Sequence, residues 1–180
     1  MNLQKMFEMQ KVLDDRIIKE KGLEGQDLLP NLILALQVEL AECANEWRGF
    51  KHWSNDREPR TKHPLEVSPN GAFRRGGNPL LEEYVDCLHF ILSIGNRLGW
   101  NDTDTINDIS SKYLSVRITF NVTWLFSSLI STIAFTRENY INLFINFIAL
   151  GERLGFKWKQ IEAAYMDKNA VNHQRQQEGY

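Results

Sequence analysis

The sequence predicts an all-α protein, a helical bundle, and three observations carry that reading. Apolar residues recur at helical spacing through most of the chain. No stretch alternates with the two-residue period of a strand. Polar stretches rich in glycine and proline separate the periodic segments. With 180 residues and 43% hydrophobic side chains, the chain can bury a real core and does not belong to the disordered class. A net charge of -2 leaves no global basic field, which argues against general nucleic-acid binding.

The elements follow in order. In "NLQKMFEMQKVLDDRII", Leu3, Met6, Phe7, Leu13 and Ile17 share one helical face, and Gln10 lies on the same stripe. "KGLEGQDLLP" ends that helix, and Pro30 and Asn31 suit the start of a second one running to about Trp47. Residues 54–78 read as a loop, longer than most inside compact domains. It carries Arg57, Arg60, Lys62, Arg74 and Arg75, so it is read either as a lid over anionic groups or as a solvated loop. Helix resumes at about Pro79, with Gly99 as its stop, and another is expected over 102–116. The uncharged run Ile118 to Thr136 is long enough to cross a bilayer. Its Asn, Ser and Thr content, and the lack of a flanking positive loop, make it a bundle helix buried in protein instead. Two more helices complete the chain, "RENYINLFINFIALGERLG" and "KWKQIEAAYMDKNAVNHQRQQ". The whole of 1–180 is read as one domain with a long loop at about 54–78.

"EEYVD…ILSIGNRLGW" is echoed by "ENYIN…FIALGERLGF", which suggests two duplicated helical halves; the alternative is a chance likeness of amphipathic helices ending in glycine. Under duplication Glu83 corresponds to Asn139 and Asp86 to Asn142, so the second copy keeps the shape and drops the charge. The start "MNLQKMFEMQK" lacks the pattern of a signal peptide. Cys43 and Cys87 sit among apolar residues without a disulfide framework, and a reducing cytoplasm is expected.

The chemistry gathers on the second and third helices. At about 100° per residue, Glu39, Glu42 and Glu46 fall in one narrow sector of an otherwise apolar helix. Like charges so placed repel, and buried unpaired carboxylates protonate. The stripe therefore faces either water or a cation. Glu83 and Asp86 share a face on the third helix amid Leu80, Leu81, Val85, Leu88, Phe90 and Ile91. Two crossing helices, ExxE and ExxD, would converge four carboxylates. Oxygen donors without thiol pairs suit Mg²⁺, with Mn²⁺ as a substitute, and Mg²⁺ held by a few carboxylates engages substrate phosphates. A di-iron carboxylate bundle is the competing metal reading. It needs Glu-x-x-His on its helix pairs, for which Asp86 and His89 offer one imitation. In the last helix Lys168, Asn172 and Arg175 make a cationic polar face, either a clamp for phosphate oxygens or a tail favouring its own helix dipole.

"ELAECANEW…FKHW", "LLEEYVDCLHFILS" and "YMDKNAVNHQRQQEGY" together resemble the dimeric all-α dUTP diphosphatases, within the wider group of helical nucleoside triphosphate pyrophosphohydrolases that includes the MazG-like enzymes. The resemblance implies a homodimeric bundle that hydrolyses dUTP, and dUDP, with Mg²⁺, yielding dUMP and releasing pyrophosphate from dUTP. It implies that Glu39, Glu42, Glu83 and Asp86 hold metal, with Glu39 orienting or deprotonating the attacking water. Lys168, Asn172 and Arg175 then lie beside the phosphates, Gln10 offers its amide to the base, and Trp53 is the aromatic near the base pocket. Tyr180 matches the closing tyrosine. His89 and Phe90, one turn beyond Asp86, fall beside the deoxyribose, where an aromatic wall would exclude a 2′-hydroxyl; core packing serves both equally well. Two rivals remain: a related pyrophosphohydrolase of another nucleotide, and a non-enzymatic helical dimer that binds a protein partner.

Overall fold

The computed structural model describes residues 2–68, 71–74, 76–115, 119–132 and 136–179. Seven helices are found among them: α1 (Leu3–Glu20), α2 (Leu29–Trp47), α3 (Pro79–Leu98), α4 (Thr103–Ser115), α5 (Val122–Ile130), α6 (Arg137–Arg153) and α7 (Trp158–Gln177). The ends are set by local chemistry. Asn2, Asn78, Asn121 and Thr136 each accept a backbone N–H with the side chain at a helix start. Pro79 stands in the first turn of α3, where its missing N–H costs nothing, and Gly99 ends that helix with φ 71°.

Two expectations need correction. The 54–78 stretch is not all loop: β1 (Leu65–Ser68) pairs antiparallel with β2 (Gly71–Arg74), Leu65 facing Arg74 and Ser68 facing Gly71. Strands of four residues are too short to establish an alternation that stands out from turn-rich sequence. The uncharged run is not one long helix either. Only Val122–Ile130 is helical, capped by Asn121 and stopped at Ser131, while Ile118 and 133–135 lie outside the described residues. Its Leu125, Phe126 and Leu129 are buried, and Trp124 is exposed. Among the described residues no helix is long and apolar enough to cross a membrane.

One hydrophobic cluster joins all seven helices. α3 lies at its centre, with Tyr84, Leu88, Ile91, Leu92 and Ile94 fully buried, and packs most closely against α2. The sequence echo becomes a reciprocal contact between α3 and α6. The Tyr84 hydroxyl donates to the Phe147 carbonyl at 2.9 Å, and the Tyr140 hydroxyl donates to the Ile91 carbonyl at 3.0 Å. Tyr140 corresponds to Tyr84, and Phe147 to Ile91, so the pair is related by a local pseudo-two-fold. Each hydroxyl lies over the glycine of the opposite helix: an added Cβ at Gly95 would overlap Tyr140, and one at Gly151 would overlap Tyr84. Trp100 and Phe156 back the two tyrosines, both with ring centroids at 5.5 Å.

The segment after α2 is tied to that helix. Arg48 ends α2 in the left-handed region at φ 62°, and its buried guanidinium donates to the Asp56 carbonyl and pairs with the Asp56 carboxylate. Arg57 donates to the Gly49 carbonyl, and Arg60 pairs with Glu46 at 3.1 Å. Two of the cations considered for a lid are thus spent on the end of α2. Arg75 lies outside the described residues.

Candidate active site

The acidic helices converge. One carboxylate oxygen each from Glu39 on α2 and Glu83 and Asp86 on α3 lie within 4.8 Å of one another. Burial, then the neighbouring Asp86 charge, pushes both Glu39 and Glu83 up to about 7. Asp86 is also raised by burial, although the Lys168 ammonium at 2.5 Å pulls the other way. Three carboxylates so held either take up protons or share positive charge, and their oxygen-only donor set fits a hard divalent ion. Glu42 does not join the three. It is exposed at the edge of the cluster, close enough for its charge to act on Glu39 and Glu83. Glu46, one turn further along α2, is the partner of Arg60.

The acids open onto a cavity of about 490 Å³ between α1, α2, α3 and α7. Glu39, Asp86 and Lys168 line one end, joined by Asn172 and Arg175. Along α3 the wall continues through His89 and Phe90 to Ser93, then to Asn96 and Arg97. Ile17, Ile18, Leu28 and Leu32 make the far end apolar. Gln10 lies in the middle and is 3% exposed. The cavity therefore gathers Gln10, Glu39, Asp86, His89, Phe90, Lys168, Asn172 and Arg175 of the residues predicted from sequence. Trp53 is not among its walls; it is 67% exposed and rests edge-on against Phe50 and His52. Tyr180 lies outside the described residues.

A buried polar network organises the middle of the cavity. The Gln10 amide N–H groups donate to Asp14 Oδ1 at 2.9 Å and to Ser93 Oγ at 3.0 Å. Its carbonyl oxygen lies 2.7 Å from His89 Nδ1 and 3.1 Å from the Tyr165 hydroxyl, whose one proton it shares with the Met6 carbonyl, also at 3.1 Å. Ser93 in turn donates to Asp14 Oδ1 at 2.9 Å. Both N–H groups of the amide are engaged, and its oxygen is enclosed by His89 and Tyr165. Because Gln10 presents an oxygen to His89, Nδ1 must carry the proton and Nε2 is left as the basic nitrogen. His89 stacks on Tyr165 with centroids at 4.5 Å, and burial pushes its pKa down to about 3, so the ring is neutral. Burial raises Asp14 to about 6, against the hydrogen bonds from Gln10 and Ser93. Sequence reading missed Asp14, Ser93 and Tyr165. The signal was present for two of them: Asp14 stands four residues after Gln10 and Ser93 four after His89, one helical turn along the same faces.

The family model described as dUTPase matches residues 2–67 and 72–180, almost the entire chain. No curated protein matches it. The match covers every helix that walls the cavity, and the chain belongs to the all-α dUTPase family, whose members hydrolyse dUTP to dUMP.

Proposed function

We propose that dUTP is hydrolysed in this cavity, its triphosphate at the acidic end and its base toward Ser93 and the apolar far end. The observation that carries the reading is the convergence of Glu39, Glu83 and Asp86, with Lys168 beside them, at one end of a cavity of about 490 Å³. Glu39, Glu83 and Asp86 hold Mg²⁺, for which Mn²⁺ can substitute, and Glu42 contributes from the rim. When bound, the ion withdraws charge from phosphate oxygens and lowers the pKa of water. Glu39 orients the attacking water and accepts its proton. The water oxygen bonds to phosphorus as a bridging P–O bond breaks, giving dUMP and pyrophosphate. Lys168 and Arg175, with Asn172 between them on α7, stabilise the charge that grows on the phosphate oxygens. His89 and Phe90 flank the deoxyribose, and Gln10 holds the base end of the cavity in shape. The same site accepts dUDP.

The 180 residues act as one domain, in the cytoplasm, as a homodimer. Exposed Leu34 and Val38, one turn apart on α2, support the dimer, and two free cysteines suit a reducing compartment. The solution mass tests the first. Mg²⁺-dependent pyrophosphate release across the deoxynucleoside triphosphates tests the function. Rapid release from dUTP is expected, and rapid cleavage of dCTP or dTTP with dUTP inert would overturn it.

A further inference from the structure

Recognition of uracil needs an acceptor for its N3–H, the donor that separates it from cytosine, whose N3 carries a lone pair. Gln10 is poorly placed to supply that acceptor: its carbonyl is buried against His89 Nδ1 and against the Tyr165 hydroxyl, whose one proton lies between it and the Met6 carbonyl. Asp14 can supply it. Its Oδ1 is pinned by the Gln10 amide and the Ser93 hydroxyl, both at 2.9 Å, while Oδ2 has no hydrogen-bond partner among the described residues. Asp14 lines the cavity, and the nearby Lys11 is paired with Asp15 at 2.7 Å. Its depth also suits a base. From Asp86 to Ser93 the α3 wall advances about 10 Å at a rise of 1.5 Å per residue, enough to pass a deoxyribose and reach the ring. Ile17, Leu28 and Leu32 lie beyond, as apolar surface for the ring's faces.

We propose that Asp14 determines base specificity by accepting the N3–H of uracil at Oδ2. This rests on the cavity being the dUTP site. An ionised carboxylate is an acceptor only. Cytosine would set its N3 lone pair against Asp14 Oδ2, a repulsion relieved only if Asp14 takes up a proton, so the discrimination is read above about pH 7, where a carboxyl raised by burial to about 6 is ionised. Thymine carries the same N3–H, so Asp14 separates uracil from cytosine and leaves the 5-methyl to be excluded elsewhere.

The pinned oxygen makes the test sharp. In Asp14→Asn, the Gln10 and Ser93 donors demand an acceptor at the Oδ1 position. The new amide must place its oxygen there and turn its NH₂ into the cavity. An acceptor becomes a donor, which complements cytosine N3. The experiment measures kcat/KM of the wild-type protein and Asp14→Asn for dUTP, dCTP and dTTP with Mg²⁺. The dUTP-to-dCTP ratio is expected to move toward dCTP by about a hundredfold, with the dUTP-to-dTTP ratio unchanged. A move of less than about tenfold, or equal losses on all three substrates, overturns the inference and leaves the dUTPase reading standing. Failure of the wild-type protein to cleave dUTP overturns both. Should the variant not fold, N3-methyl-dUTP decides with the wild-type protein: turnover equal to dUTP overturns the inference, and loss of turnover supports it.

Discussion

α3 and α6 are two versions of one helix put to different ends. They share the tyrosine that reaches across to the other's backbone, the glycine that receives it, a terminal glycine (Gly99 at φ 71°, Gly155 at φ 89°) and the aromatic behind it. They differ at the positions that face the cavity. Glu83, Asp86, His89 and Ser93 on α3 stand where α6 has Asn139, Asn142, Ile145 and Ala149. The parts that build the bundle are duplicated, and the parts that titrate are not. Folding needs the reciprocal tyrosines on both helices, whereas hydrolysis needs one set of carboxylates against α2.

The largest effect should come from making α3 like α6 where the two differ. Glu83→Asn with Asp86→Asn imports the α6 residues and should lower kcat/KM for dUTP by about a hundredfold or more. Helicity should be kept, because Asn139 and Asn142 already sit in an intact helix. Without metal the variant should melt close to the wild type: it removes a carboxyl that burial, then neighbouring like charge, raises to about 7, and it also gives up the Asp86–Lys168 ion pair. Wild-type melting should rise with Mg²⁺, and the variant's should not. Calorimetry and a pyrophosphate assay check these points, and near-normal turnover would break the comparison at its centre.

Next come the shared positions, where the two helices should respond alike. Gly95→Ala and Gly151→Ala each drive a methyl into the opposing tyrosine hydroxyl, and overpacking of this kind costs about 1–3 kcal/mol. Gly95 should be the more sensitive, because Phe7 also crowds it. Denaturant midpoints measure both, and a large loss at only one glycine would refute the reciprocity. Tyr84→Phe and Tyr140→Phe are gentler. Each removes the second donor from a buried helix carbonyl, worth about 1 kcal/mol. Their effects should match, and the double variant should lose about the sum, the two bonds sharing no atom.

The same contrast explains what could be read from the sequence. The helices were legible because their apolar period and their caps are local, as at α3 between Asn78 and Gly99. The meeting of Glu39 with Glu83 and Asp86 was legible because the spacing on each helix fixes a shared face. What stayed hidden depended on the third dimension. Glu42 has the correct spacing from Glu39, yet the crossing of α2 over α3 leaves it on the exposed side. Trp53 lies in a segment whose course is set by Arg48 and Asp56, not by any periodicity. The enclosure of Gln10 could not be foreseen, because it takes partners from α1, α3 and α7 at once. The hairpin at 65–74 stayed hidden because neither four-residue strand stands out from a turn-rich stretch.

The smallest effect is a signature that only the α3 side can give. His89, near 3 in the folded protein against 6.5 unfolded, takes a proton only on unfolding. Its contribution to stability is present above pH 6.5 and is lost as the pH falls toward 3. Asp14 runs the other way. Raised from 3.8 to about 6, it binds its proton in the folded protein first, so its contribution is present at low pH and is lost as the pH rises through 6. Between pH 4 and 6 the two slopes oppose each other, on a background common to all variants that is set by Glu39 and Glu83, raised by burial to about 7. Each single substitution should uncover the other slope. Relative to wild type, Asp14→Asn should lose stability on acidification across that window. His89→Ile, which imports Ile145 from α6, should gain it. Each change is at most about 1.4 kcal/mol per pH unit. Denaturant unfolding of the three proteins at several pH values measures the slopes, and parallel curves for all three would mean that the network on α3 does not hold its protons as its geometry requires.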